Sequence, residues 1–449
     1  MTSSHRLQTS TTLAFSLLTL ALCSHSVYGG GFGLDGPGSA AMGNSYAGQV
    51  TGAHDLSDSY INPAVLTEFS KDAVVSSNML LDYTIKIDPG ATAQTATSKN
   101  IDLLGNGSSG TDGGNTAFIP ALYTAHALSE KTSVGFGISA PWGIKSTYPD
   151  QWIGRYQAIN SEIRSLDLTP VVAYQVSTAL SIAGGINLQY LEANMSNAID
   201  FGSLTTGDPS FSADGKAEVS GNSWAPGYQA GLLYKPNEST RLGIAYRSKV
   251  HHDIKGDTDF TVPTALVAAV TAGGAFVDTD VSFDITTPEQ FNLGWQQKLS
   301  PQLEWVAEAD YTRWSRVKSL VIDSGNPNQP DDTTVFNWQN NWRYTLGLNY
   351  FYNNQLTLRS GLGYEETAIT EKYFSPRVPI ANKYFLSFGS RYQISHRLTL
   401  DIAYLHEFFE KGHTNLNIAN GSSNLYRGNL TVDNQINLNA LAAHLQFAL

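Results

Sequence analysis

The sequence predicts an all-β fold: a transmembrane antiparallel β-barrel of about fourteen strands with an N-terminal hatch, a plug folded inside the lumen. Three observations carry this expectation. The chain opens with a secretory leader, no later apolar stretch is long enough for a transmembrane helix, and many segments alternate apolar with polar side chains. Closed barrels cross membranes with such alternating strands, because closure pairs every backbone group without a continuous apolar run.

The leader comes first. His5 and Arg6 give a weakly basic start, Leu13 to Cys23 is an apolar run too short to span a bilayer, and small residues follow. Cleavage near Val27-Tyr28-Gly29 makes 1–29 a signal peptide and Gly30 the first mature residue. The one cysteine, Cys23, falls in the leader, so the mature chain is expected to hold no thiol and no disulfide. A formal net charge of -12 argues against a nucleic-acid partner.

Residues 30–72 follow and do not alternate. They are rich in Gly, Ala, Ser and Asp and end near Asn62-Pro63-Ala64. Gly31, Gly33 and Gly36 form a G-x-G-x-x-G match, but a dinucleotide loop needs a strand before it and a helix after it, and no strand precedes. A lumen of about fourteen strands is wider than its own side chains fill, which favours a plug over a flexible exported tail.

The barrel is expected over 73–449, with strands at 73–88, 116–128, 132–147, 162–176, 179–193, 223–235, 240–254, 280–299, 302–322, 334–352, 354–370, 380–394, 397–411 and 434–449. Leu180, Ile182, Ile186, Leu188 and Tyr190 share one face while Ser181, Asn187 and Gln189 share the other. Leu303, Trp305, Ala307, Ala309 and Tyr311 likewise oppose Glu304, Glu308, Asp310 and Thr312. Tight turns such as "SEK", "PNES" and "NN" alternate with long connections, as expected when short turns face the periplasm. The third strand is irregular. In "GISAPWGIKSTY", Pro141 removes a ladder donor and Gly143 a side chain, and proline belongs on edges or at bulges. The ladder is therefore predicted to break at Ala140, Pro141, Trp142 and Gly143, either as a side opening or as an ordinary bulge near the rim.

Taken in order, "GGFGLDGPGSAAMGNSYAG" leading to Asn62-Pro63-Ala64, "SVGFGISAPWGIKSTY", "LLYKPNESTRLGIAYRSKVHHDIKG", "ADYTRWSRVKSL" and "WRYTLGLNYFYNNQLTLRSGLGY" resemble the FadL-type family of outer-membrane transporters for long-chain fatty acids and other hydrophobic compounds. The resemblance implies a barrel of about fourteen strands. It implies a hatch whose residues include Gly30, Gly31, Phe32, Asn62, Pro63 and Ala64, and lateral release beside the kinked third strand. It places an external groove on the loops after the fifth and seventh strands, about 194–222 and 255–279, with Leu266, Val267, Val270 and Phe276 as apolar ligand contacts. The family's lumenal Arg and Lys correspond to Asn197 and Gln339. Arg343, Arg359, Arg247 and Arg391 on predicted inward faces either replace those cations or pair with acids such as Glu304, Glu308 and Asp401.

The implied activity is passive uptake of fatty acids, or by the same route of neutral aromatic or aliphatic hydrocarbons. No catalysis, cofactor or metal is expected. His54-Asp55, His251-His252 and His406-Glu407 come with neither a serine elbow nor an H-E-x-x-H spacing, and no P-loop is present. The expected partners are outer-membrane lipid and lipopolysaccharide and hydrophobic small molecules. A monomer is expected, since a closed barrel has no free strand edge. A general porin, the rival transport reading, would lack the plug.

Overall fold

Period-two alternation becomes a closed sheet. The computed structural model describes residues 31–34, 36, 40–88, 90–95, 111–205, 211–424 and 426–449; the predicted leader and Gly30 lie outside them. The first seven barrel strands are β1 (Ala73–Ile87), β2 (Asn115–Ala127), β3 (Thr132–Ser139, then Gly143–Thr147), β4 (Asn160–Gln175), β5 (Leu180–Asp200), β6 (Asp214–Asn237) and β7 (Thr240–Arg247, then Val250–Thr261). The other seven are β8 (Thr279–Thr287, then Gln290–Lys298), β9 (Leu303–Thr312, then Ser319–Ser324), β10 (Asn341–Phe351), β11 (Leu356–Glu365), β12 (Lys383–Ser395), β13 (Leu398–Phe409) and β14 (Asn429–Ala448). Each pairs antiparallel with its neighbours, and β1 closes the ring against β14 from Ala73↔Ala448 to Ile87↔Asn434.

The two faces of the sheet separate as the alternation requires. On β10, Tyr344, Leu346, Leu348 and Tyr350 are exposed while Arg343, Thr345 and Asn349 are buried inside. Trp342 and Tyr352 bracket this run of leucines with aromatics. At about 3.4 Å per residue and a tilt of about 45° they stand about 24 Å apart in height, which matches the apolar band of an outer-membrane barrel. Neighbouring rings continue the outer girdle: Tyr246 to Phe291 at 4.8 Å, Phe291 to Tyr311 at 6.4 Å and Tyr311 to Trp342 at 5.0 Å.

Strand ends differ from expectation above the membrane. β5 continues to Asp200 and β6 begins at Asp214, so the connection expected over 194–222 shrinks to the residues between them. The hairpin rises past the lipid with β6 still paired to β7 as far as Thr261↔Lys216. Lipid no longer selects apolar residues there, and the period that marks a strand fades.

The segment from Ala40 to Phe69 runs through the lumen in three short 3₁₀ turns, Ala40–Asn44, Leu56–Tyr60 and Pro63–Glu68. It meets strands on every side. Asn44 Nδ2 donates to the carbonyls of Leu348 (3.0 Å) and Ser360 (3.1 Å), and Ser45 N to Ser387 Oγ at 2.7 Å. Glu308 Oε2 accepts from the amides of Gly48 and Val50 at 3.0 and 3.1 Å. Arg391 Nη1 donates to the His54 carbonyl at 2.6 Å, and Thr67 Oγ1 to Ser181 Oγ at 2.7 Å. Barrel glycines make room for this backbone. A Cβ on Gly361 would stand 2.1 Å from the Asn44 carbonyl carbon, and one on Gly243 2.1 Å from the Val50 carbonyl oxygen, both inside any permitted contact.

Asn62 explains its motif. Its Oδ1 accepts from Ala64 N (3.0 Å), capping the turn that Pro63 begins, while Nδ2 donates to the carbonyls of Val50 (2.6 Å) and, on β6, Leu232 (3.0 Å).

Candidate functional site: outer pocket, aromatic column and side gap

Three features follow one another from the outer rim to the membrane-facing wall. The first is a cavity of about 520 Å³ enclosed by the tops of β5 to β9 and the loops above them. Its apolar wall includes Phe201, Phe260 and Phe276, with the Phe276 ring 5.0 Å from Phe201 and 5.7 Å from Phe260, both edge to face. Phe276 adopts a φ of 55°, a left-handed conformation unfavourable for a bulky side chain, and its amide donates to Gln329 Oε1 at 2.8 Å. Such strain persists only where surroundings impose it, and here it turns the ring into the cavity wall.

The polar side of the cavity holds Asn197, Arg377 and Arg427. Arg427 forms an ion pair with Asp332 at 2.5 Å and donates to Thr334 Oγ1 at 2.7 Å. Arg377, from the β11–β12 connection, donates through Nη1 to Ser161 Oγ (3.1 Å) and the Asn160 carbonyl (3.4 Å), and through Nη2 to Asn197 Oδ1 (3.1 Å). That connection crosses the mouth to reach β3 and β4. Its Pro376 and Arg377 carbonyls accept from Tyr148 Oη (3.0 Å) and Ser146 Oγ (3.2 Å).

Of the residues expected to meet a ligand, Val270, Phe276 and Asn197 line this cavity and the others do not. Leu266 is half-buried and Val267 exposed. They begin a helix of one turn, Val267–Val270, which offers the cavity only Ala269 and Val270. Gln339 is exposed in the irregular stretch just before β10, next to the buried Trp338. Arg343 and Arg359 face inward as expected but are engaged: Arg343 pairs with Asp310 at 2.7 Å and Arg359 with Asp401 at 2.5 Å, below the cavity. Arg247 and Arg391 pair likewise with Asp167 (2.9 Å) and Asp401 (3.0 Å). The open choice between free and paired lumenal arginines resolves to pairing.

Beneath the cavity an apolar column begins. Val219, Val281 and Leu320 line the cavity and pack with Leu191, Ile254 and Phe283. Ile163, Ile285 and Phe336 touch both this cluster and a second one containing Phe32, Trp142, Trp314 and Trp338. The Phe32 ring lies 5.0 Å from Trp314 and 5.9 Å from both Trp142 and Trp338. The indole N–H groups of Trp142 and Trp338 are buried without a hydrogen-bond partner among the described residues. Trp314 and Trp338 escaped sequence reasoning, since both lie where strands break off and alternation gives no face.

The column ends at the break in β3. Beyond Leu122↔Ile138 the β2–β3 ladder stops, and the stretch of β2 from Asn115 to Ala121 has its ladder only with β1. Towards β4 the register moves from Ser139↔Asp167 to Gly143↔Arg164, so Ala140, Pro141 and Trp142 bulge inward and are all buried. Ser165 Oγ accepts from Trp142 N at 2.8 Å and donates to its carbonyl at 2.7 Å, replacing ladder bonds. The backbone of the break does not go unpaired. The N-terminal residues pair with it: Leu34 N donates to the Pro141 carbonyl (2.8 Å), and Gly143 N to the Phe32 carbonyl (2.7 Å). Gly31 sits against Trp314 at a φ of +70°, where any side chain would strike the indole. Gly31 and Phe32 therefore meet Ala140 to Gly143 in one place, while Asn62, Pro63 and Ala64 anchor the segment elsewhere in the lumen.

Known proteins agree with this architecture. Residues 20–448 match the family model described as outer membrane protein transport protein (OMPP1/FadL/TodX). The chain is 23% identical to the long-chain fatty acid transport protein of Escherichia coli K12, over 87% of this chain and 90% of that one. It is 26% identical to outer membrane protein P1 of Haemophilus influenzae, over 83% and 85% respectively. Among solved structures, a Pseudomonas aeruginosa FadL homologue superposes with a TM-score of 0.84 at 21% identity, covering 93% of this chain and 99% of that one. The Ralstonia pickettii toluene transporter TbuX superposes at 0.64 and 19% identity over 93% and 99%. A closed fourteen-stranded barrel with girdles of aromatics is an outer-membrane fold, and this chain belongs to the OMPP1/FadL/TodX family of outer membrane transport proteins.

Proposed function

We propose that the protein carries hydrophobic compounds passively through the outer membrane, with long-chain fatty acids as its substrates. The supporting observation is the continuous apolar course from the outer cavity through the Phe32–Trp cluster to the β2–β3 gap. An apolar solute gains nothing from a water-filled pore, whereas this course leads it from a capture pocket towards lipid. In this reading residues 30–72 form a hatch. Withdrawal of Gly31, Phe32 and their neighbours from Pro141 to Gly143 opens the side exit, and no nucleotide or other cofactor takes part.

A second reading is uptake of neutral aromatic or aliphatic hydrocarbons by the same route. It is favoured by the neutral Asn197 and by the pairing of Arg247, Arg343, Arg359 and Arg391 with acids. Labelled oleate and labelled toluene, given to cells whose only such transporter is this protein, separate the two. Oleate uptake above the empty-vector control is expected. Toluene uptake without oleate uptake overturns the fatty-acid reading, and uptake of neither overturns both.

A further inference from the structure

We propose that Arg377 is an anion anchor, the residue that makes the outer cavity select amphiphiles with a single carboxylate over neutral molecules of the same chain length. The inference rests on the capture role of that cavity and deepens it.

Buried guanidinium groups in this chain come with acids. Arg155 lies against Asp214 (2.6 Å), Arg247 against Asp167 (2.9 Å), Arg343 against Asp310 (2.7 Å), Arg359 against Asp401 (2.5 Å) and Arg427 against Asp332 (2.5 Å). Arg377 is 4% exposed, and among the described residues no carboxylate lies within ion-pair distance of it. Its only partners there are neutral: the Ser161 hydroxyl, the Asn160 carbonyl and the Asn197 amide oxygen. Those contacts involve Nη1 and Nη2, and no described residue accepts from Nε. A buried cation without a counter-ion is strongly unfavourable, and folding tolerates it where an anion arrives from outside. Burial first, and then the neighbouring Arg427 guanidinium, press the Arg377 pKa below the arginine norm, and the Asp332 carboxylate, itself paired with Arg427, offsets only part of this.

The surroundings define the missing anion. Arg377 lines a cavity whose other lining residues include Phe201, Phe276, Val270 and Leu320, so the ligand carries an apolar body as well as a charge. Among the described residues that line the cavity, Arg377 is the one cation without an acid, since Arg427 is engaged by Asp332. One carboxylate, accepting from the remaining N–H groups of Arg377, completes the site; a planar guanidinium presents paired donors that match it. The anchor comes from the irregular β11–β12 connection rather than from a barrel strand. The position next to it, Asn197, then serves to hold the guanidinium in place and not to bind the ligand's charge.

Isothermal titration of the purified full-length protein in amphipol with decanoate and with 1-decanol tests the anchor. Wild type is expected to bind decanoate at least about tenfold more tightly than decanol, the range of a charge-assisted hydrogen bond. In Arg377→Gln that ratio is expected to fall to near one, and in Arg377→Lys to recover in part. Retention of the heat-modifiable electrophoretic shift confirms that each variant is a folded barrel. A wild-type ratio near one with both ligands bound, or an unchanged ratio in Arg377→Gln, overturns the anchor and leaves the capture role of the cavity standing. Absence of binding by either ligand overturns both.

Discussion

At Asp58 and His54 the state of a single proton follows from geometry. His54 Nε2 lies 3.0 Å from Asn44 Oδ1, and Asn44 spends its own donors on the Leu348 and Ser360 carbonyls, so Nε2 carries the hydrogen. Nδ1 is then free to accept, and it lies 3.0 Å from Asp58 Oδ2 and 3.3 Å from Oδ1. Burial holds the imidazole neutral, pressing it down to about 3, with Arg359 acting in the same sense. Burial, with Asp55 beside it, pushes the Asp58 carboxyl well above the usual range, so Asp58 is the donor. Its other role is to accept from His54 N at 2.9 Å. An asparagine offers the same donor and acceptor. Asp58→Asn is therefore expected to change amide exchange over residues 54–62 little, whereas Asp58→Ala leaves two buried groups unpaired and weakens local protection by about 2–3 kcal/mol. Equal loss in both variants contradicts the neutral pair.

At the scale of elements, the contact between lumenal segment and strands is set by missing side chains. Gly361 on β11 lies directly against the Asn44 backbone, and neither flank can yield by a rotamer change. Gly361→Val is expected to prevent seating of the segment near Asn44 and to raise ion conductance in planar bilayers several-fold over a low wild-type level. Conductance equal to wild type in a folded variant contradicts the role of this segment as the plug. The strands themselves were readable because lipid and lumen impose opposite chemistry on alternate residues. That pressure ends at the membrane surface, which is why the tops of β5 and β6 were read as loop. Asn197, Val270 and Phe276 were found through family resemblance. Arg377 was missed because it sits in an irregular connection, where neither period nor motif marks a side chain. Gln339 lies in the irregular stretch before β10, outside the cavity lining, where no strand period assigns a face.

For the whole molecule, charge and apolar surface occupy separate territories. Paired ions such as Arg359–Asp401 and Arg247–Asp167 tie the interior together beneath the cavity. The outer cavity, the Phe32–Trp cluster and the β2–β3 gap form the apolar course beside them. The N-terminal residues belong to both, since the segment that crosses the lumen also completes the broken ladder of β3. In the proposed route, capture outside and exit through the wall are thereby linked through one stretch of chain. The most direct test is oleate uptake by cells carrying Pro141→Val/Gly143→Val, which restores ladder-forming residues at the break, against wild type at equal surface levels of folded barrel. Lateral exit predicts a fall in uptake of about tenfold or more, since the apolar course then ends at a closed wall. Uptake equal to wild type in the folded variant would show that substrate leaves by another path and would contradict the account.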